Sequence, residues 1–458
     1  MTSPEAHLEP RPERVLILGA AGRDFHLFNL RYRNNPSIRV VGFTAQQIPH
    51  ISDRRYPPEL AGSLYPDGIP IHPEEELEAW IQAYGVDRCV LGYSDLSHLQ
   101  VMHLASRANA AGADFELSAP HSSQLRSSKP VIAICASRTG AGKSQTTRAI
   151  ARILDRWGVR VAILRHPMPY GDLVRQRVQR FQSEADLIEH QVTVEEREEY
   201  EPHIEAGRVV FAGVDYAEIL REAEREADVI LWDGGNNDTS FLTPDLWITV
   251  VDPHRPGHEL AYHPGETNVR MADLVIVNKV DTASLEDILL VLENIRKVNP
   301  RAQILEAASP LFVEGAEHLR GRRVLCIEDG PTLTHGDMTY GAALLAARKS
   351  GVREIVDPRP WLVGELIDTF QRYPNIGPLL PAMGYGESQI RDLEATLDRA
   401  VTEGGVEAVV VGTPIDLGRL IRIPAPWARV RYELAPLGSP GLEELLSPIR
   451  TLLFPEHP

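Results

Sequence analysis

The residues best placed to do chemistry lie in "SRTGAGKS", residues 137–144. Small residues let successive backbone N–H groups point at phosphate oxygens, and a helix N-terminus behind the loop favours anions. Gly140 and Gly142 allow close backbone approach, with Thr139, Ala141 and Gln145 completing the lining. Lys143 would reach the outer phosphates, and the Ser144 hydroxyl would ligate a magnesium ion. Ser137 stands where the usual pattern has its first glycine. Arg138 adds a second cation near the start of the loop, suited to stabilising charge on a transferring phosphoryl group.

Two further signals follow in order. "ADVILWDGG" is an apolar run ending in Asp233, a rigid strand end suited to organising magnesium together with Ser144. Asn236 replaces the glycine of a D-x-x-G switch. "VIVNKVD" then places Asn278, Lys279 and Asp281 as N-K-x-D. Such an Asp accepts two hydrogen bonds from guanine N1 and N2, Asn contacts the base edge, and the Lys stem packs along the base. The nucleotide is therefore ATP or GTP, and Mg2+ is the expected cofactor. Catalysis falls to Lys143, Arg138 and Asp233.

A second substrate needs its own residues. "RHPMPYGD" carries Arg165, His166 and Tyr170 after a strand, where open α/β sheets bind ligands. "DPHRPGHELAYHPGE" gathers His254, Arg255, His258 and His263, with Asp252 and Glu266 beside them. Arg forks and His protons suit an anionic phosphorylated acceptor. A transition-metal site on His254, His258 and His263 is the competing reading, with Arg255 opposing a dication. Glu328, Asp329, Thr334, His335, Tyr385 and Arg419 lie in Gly/Pro-rich stretches that suggest a lid or substrate wall.

The elements needed to hold these residues follow from hydrophobic patterning. An α/β chain of three blocks is expected: a Rossmann-like block over 1–125, a phosphate-loop block with a mostly parallel sheet over 126–318, and a smaller α/β block over 319–458. "RVLILGA", "IRVVGFTA", "DRCVLGYS" and "ADFELSA" supply strands of the first, and "GRDFHLFNLRYRNN" and "PEEELEAWIQAYG" helices. "PHSSQLRSSKP" reads as a linker. "VIAICA", "VRVAILRH", "RVVFAG", "DVILWDGG", "LWITVVD", "DLVIVNK" and "AQILEAA" are strands of the second. The third adds "RRVLCIEDG", "VEAVVVGTP" and "ARVRYEL". "LGAAGRDFH" lacks a full G-x-G-x-x-G, so a redox dinucleotide is not expected; Arg23 could hold a second phosphorylated ligand.

Composition narrows the class. The 458 residues carry a net charge of −17, which argues against nucleic acid as the partner. The polar, Pro-rich start is unlike a signal peptide, and no apolar run reaches membrane-span length. A cytoplasmic protein without membrane partners is expected. Cys89, Cys135 and Cys326 lack metal spacing and read as buried thiols.

Several segments together carry a family resemblance: "GAAGRDFHLFN", "RYPPELAGSLYPDGIPI", "RTGAGKSQTTR", "RHPMPYGDL", "DGGNND", "DPHRPGHE", "NKVD" and "EDGPTLTHG". They resemble prokaryotic proteins described as predicted GTPases or as cyclic 2,3-diphosphoglycerate synthetase-like. The loop resembles the deviant Walker A form, in which Arg138 would take the place of a lysine. The resemblance implies ligase-type phosphoryl transfer, with ATP closing an intramolecular phosphoanhydride in a small phosphorylated acid. A GTPase acting as a switch or in metal delivery is the other reading. Analogy with that loop class implies a homodimer.

Overall fold

The computed structural model describes residues 11–20, 22–45, 54–166, 171–235, 237–330, 333, 340–382 and 387–455. The strand Val131–Ala136 is buried at every position, so both of its faces are apolar and it belongs in the middle of a covered parallel sheet. The structure places it there. Among the described residues the central sheet has nine strands. In spatial order they are Gln179–Phe181, Val209–Ala212, Val161–Arg165, Val229–Asp233, Val131–Ala136, Leu246–Val251, Leu274–Val277, Gln303–Ala308 and Ala435–Pro436. All neighbours pair in parallel except the two edge strands. The carboxyl ends of the central strands therefore share one edge of the sheet, where the loops that follow them can meet.

A six-stranded sheet precedes it, with Glu13–Leu18 between Ile38–Ala45 and Arg88–Leu91 in parallel. The expected first helix forms as an α-helix over Arg23–Leu27 and continues as a π-helix over Phe28–Tyr32. The stretch read as a linker is packed instead. His26 Nε2 lies 2.6 Å from the Ser123 carbonyl, and Leu125 bridges to Leu242. A short antiparallel pair, Leu96–Ser97 with Tyr262–His263, ties the first block to the central one.

The third sheet is built on Arg323–Asp329, which pairs in parallel with Glu354–Ile355, Leu379–Ala382 and Ala408–Val411. It begins earlier than the expected boundary, because Leu311–Glu314 pairs with Trp427–Tyr432. The chain then returns: Ala435–Pro436 joins the central sheet, and Leu442, Leu445, Leu446 and Ile449 pack into a central core. Apolar spacing could not show this, since a terminal helix can cover either neighbouring sheet. Among the described residues no helix is long and apolar enough to cross a membrane.

Candidate functional site

The phosphate loop leaves the strand Val131–Ala136 and turns into the helix Lys143–Arg156 through Gly142, which has φ 116°. A Cβ there would lie 2.0 Å from Asn278 Nδ2, so both backbone conformation and space demand glycine. Lys143 Nζ donates to Asp233 Oδ1 at 2.7 Å. Arg165 NH1 lies 2.7 Å from Asp233 Oδ2, and His203 Nε2 lies 3.5 Å from the same oxygen. Burial opposes charge on Asp233, but Arg165 and Lys143, with His203, outweigh it and hold the carboxyl well below its usual range. The structure thus brings Lys143 and Asp233 together and adds Arg165 to the carboxylate. Arg165 also pairs with Glu199. It is 1% exposed and committed to two acids, so it does not face an anionic acceptor.

The N-K-x-D residues brace the loop from the next strands. Asn278 Nδ2 donates to the Ala141 carbonyl at 2.9 Å, and Lys279 Nζ to the Gly140 carbonyl at 2.7 Å. Lys279 also binds Asp252 Oδ2 at 2.8 Å, and Arg255 NH2 donates to that oxygen at 3.2 Å and to the Thr139 carbonyl at 2.9 Å. Burial opposes ionisation of Asp252, yet Lys279 and Arg255 bring its carboxyl down to about 2. Asp281 Oδ1 accepts from Ser309 N at 2.9 Å, and Ser309 Oγ donates to Gln145 at 3.1 Å.

Arg138 is bound on the side of the first block. Its Nε donates to Asp95 Oδ1 at 2.7 Å, its NH1 lies 2.9 Å from His258 Nδ1, and its guanidinium sits 3.7 Å from the Tyr262 ring centroid. Asp95 has φ 60°, and its other oxygen accepts from Thr139 N at 3.3 Å. Sequence reading passed over Asp95; its only signal was an acid at a strand end, "GYSD". A contact between Arg138 and a phosphate requires release from this carboxylate.

Of the remaining basic residues, His254 stays in the lining of the cavity that holds the loop, and His166 and His263 do not. His166 Nδ1 pairs with Asp238 Oδ2 at 2.5 Å, beside Arg23, which donates to Thr239. His254 Nε2 meets Thr282 Oγ1 at 2.9 Å. His263 lies in the short strand beside Leu96, and burial, then Arg23 and His98, push its imidazole down to about 4. Tyr170, Thr334, His335 and Tyr385 lie outside the described residues. Among the described residues no cluster of three or more His, Cys, Asp or Glu could hold a metal, so His254, His258 and His263 do not converge as a metal port.

The cavity that includes Gly140, Gly142, Lys143 and Ser144 carries both signs of charge: Arg138, His254 and Lys279 line it together with Glu199, Glu328 and Asp329. Glu199 comes from the helix Val194–Ile204, and the other two acids from the end of the strand Arg323–Asp329. Tyr340 and Tyr432 complete the wall. Glu328 Oε1 accepts from Ala343 N at 2.6 Å and Leu344 N at 3.2 Å, the first turn of the helix Ala342–Lys349. A Cβ on Gly341 would lie 2.4 Å from the Glu328 carboxyl carbon, so the chain closes tightly on this group. Burial, and then Asp329, push the buried Glu198 carboxyl behind the wall well above its usual range; its hydrogen bond to Asp329 acts in the same direction. Glu198 and Glu199 escaped sequence reading because "VEEREEYE" looks like a solvated helix face.

Burial also raises Glu328 to about 8 against the two backbone donors. The unfolded chain releases this proton near pH 4.5, whereas the folded chain keeps it to about 8. The contribution of Glu328 to stability therefore falls as pH rises across that window. Glu328→Gln should flatten the decline in thermal midpoint between pH 5 and pH 8. Thermal unfolding of both proteins at the two values checks this, and parallel declines would refute it.

Comparison with known proteins agrees with this geometry at a coarse level. A family model for the CobW/HypB/UreG nucleotide-binding domain matches residues 225–306. With the loop and sheet described, this defines a P-loop nucleotide-binding protein. The chain is 59% identical to arginine synthetase ArcE of Thermococcus kodakarensis over 438 residues, which are 96% of this chain and 97% of that protein. The chain belongs to that arginine synthetase family, and it is an enzyme of ligase type. It is also 22% identical over 316 residues to cyclic 2,3-diphosphoglycerate synthetase of Rubrobacter xylanophilus, covering 61% of this chain and 71% of that protein. The resemblance seen in the motifs is therefore present but distant. A crystal structure of LpxK from Aquifex aeolicus with ATP aligns at a TM-score of 0.41 and 14% identity, over 82% of this chain and 99% of that one.

Proposed function

We propose that this chain makes arginine, using ATP to activate a ureido amino acid of the citrulline type for attack by ammonia. The observation that carries this reading is Asp329, which lines the cavity of Lys143 and Ser144 beside Glu328, protonated up to about pH 8, and Glu199, already paired with Arg165. A carboxylate there attracts ammonium and a forming guanidinium. The name of the 59% identical relative supports the same product.

The chemistry balances in two steps. The ureido oxygen attacks the γ-phosphorus, the bond to the bridging oxygen breaks, and ADP leaves. Ammonia then attacks the activated carbon, the C–O bond breaks, and phosphate leaves with the oxygen. Lys143 and the loop N–H groups neutralise the phosphoryl charge. Asp329 orients the cationic product. The ammonium must lose a proton before it attacks, and the hydrogen-bonded pair Glu198–Asp329 is the acceptor placed beside the cavity.

Magnesium fits this donor set. Ser144, beside Lys143 at the start of its helix, and Asp233, whose Oδ1 Lys143 holds, would be its ligands once phosphate draws the lysine away. The ion would lend positive charge to the β- and γ-phosphates. Arg138 is satisfied within its own chain, so this site needs no second copy, and a homodimer has no required part in it.

The alternative, closure of cyclic 2,3-diphosphoglycerate, needs a basic acceptor pocket. Arg165, His166 and Arg255, expected to form one, each rest on a carboxylate. The test incubates the protein with magnesium, ammonium and citrulline, and with ATP or GTP in parallel arms. Arginine is read by amino-acid analysis. We expect arginine and phosphate in equal amounts with ATP. A further arm replaces citrulline and ammonium with 2,3-diphosphoglycerate, read by phosphorus NMR. A cyclic product there, with no arginine in the others, would sink the proposal.

A further inference from the structure

Behind the nucleotide-facing cavity lies a second cleft, and Tyr432 lines both. Its volume is about 310 Å³, within the range of small-molecule sites, about 300–1,000 Å³. Five arginines line it: Arg148, Arg152, Arg208, Arg429 and Arg431. Glu205 and Glu433 are the acids of its lining. In a chain of net charge −17 such a concentration of guanidinium groups runs against the general field.

Local structure accounts for the gathering. Arg148 and Arg152 are four apart on the helix Lys143–Arg156 and share a face. Arg429 and Arg431 are two apart on the strand Trp427–Tyr432 and share a face as well. Arg208 immediately precedes the strand Val209–Ala212.

The counter-charges are incomplete. Arg208 NH2 donates to Asp155 at 2.5 Å, Arg152 NH1 to Glu433 at 3.3 Å, and Arg431 Nε lies 3.1 Å from Glu314. Arg429 NH1 is 3.9 Å from Asp416, and its NH2 donates to the Pro414 carbonyl at 2.8 Å. Arg148 reaches no carboxylate within 4 Å among the described residues. Its partners are the Tyr432 carbonyl, at 3.5 Å, and the Tyr432 ring. Burial works against its charge. Arg208 and Arg429 are 7% and 6% exposed, and each keeps a buried Nε without a hydrogen-bond partner. Buried donors left unsatisfied in this way are uncommon and costly. A tetrahedral oxyanion would supply acceptors to several guanidinium forks at once.

We propose that this cleft binds a small phosphate-bearing anion, separately from the nucleotide and whatever the identity of the acceptor. Arg148 lies on the helix that begins with Lys143 and Ser144, so the occupied cleft would buttress the phosphate loop from behind.

The test uses the full chain with its nucleotide site first filled by magnesium and a non-hydrolysable ATP analogue. Inorganic phosphate is then titrated calorimetrically, with glycerol 3-phosphate in a second arm. We expect saturation at one anion per chain. In the double variant Arg152→Ala/Arg431→Ala, affinity for the anion should fall tenfold or more while the analogue binds as before. Both side chains are about half exposed, so the fold tolerates their loss. Saturation by phosphate itself assigns the site to the free ion; saturation by the phosphomonoester only assigns it to an organic phosphate. No saturable binding in either arm, or binding that the double variant leaves untouched, overturns the proposal.

Discussion

Lys143→Met should reduce ATP turnover by about three orders of magnitude or more, the scale seen when a cation or preorganised donor is removed from a transferring phosphoryl or acyl group. The fold should survive the change. Asp233 loses one cation but keeps Arg165 at 2.7 Å and His203 at 3.5 Å, so its buried charge remains compensated. This separates Lys143 from Arg165, whose removal would take a cation from two carboxylates at once, Asp233 and Glu199. Single-turnover phosphate release and thermal unfolding, measured on the same preparation, check both halves. Turnover within tenfold of the parent would remove Lys143 from the phosphate site.

The second large effect is expected at the opposite wall. Asp329→Asn should raise the Kd for arginine roughly a hundredfold, about 2.7 kcal/mol, in line with the loss of one partner from a desolvated charge pair. Binding of the ATP analogue should stay within about twofold, because the loop N–H groups and Lys143 are untouched. Calorimetric titration of arginine and of the analogue makes the comparison. Unchanged arginine binding would show that Asp329 is not the cation site. Equal losses for both ligands would instead indicate a general collapse of the cavity.

Much of the nucleotide site is legible in the order of residues along the chain. A phosphate is held by consecutive backbone N–H groups, so its signature is local, and Gly140, Gly142, Lys143 and Ser144 stand within five residues. Asp233 and Asn278 are legible because apolar strands that end in polar residues put those residues at the carboxyl edge of a parallel sheet. The acceptor side is less legible. Arg165, His166, His254, Arg255 and His258 look like an anion pocket because their density along the chain is high. In the folded protein Arg165, His166 and Arg255 meet Asp233, Asp238 and Asp252, while His258 meets Arg138, itself bound to Asp95.

What this sequence determined by itself is the class: alternating strands and helices, a phosphate loop entering a helix, and the ordered carboxylate and N-K-x-D residues, all written at short range. The tertiary structure alone decided which charges remain to face a substrate. Opposite charges compensate across distances of a few ångströms, and the partners that do so here are far apart in the chain. Asp95 answers Arg138, Glu199 answers Arg165, and Glu328 and Asp329 arrive from the third sheet to close the cavity. No periodicity along the chain records which sheet ends will face one another. Which acids and bases line the cavity together therefore emerged only when the three sheets were assembled.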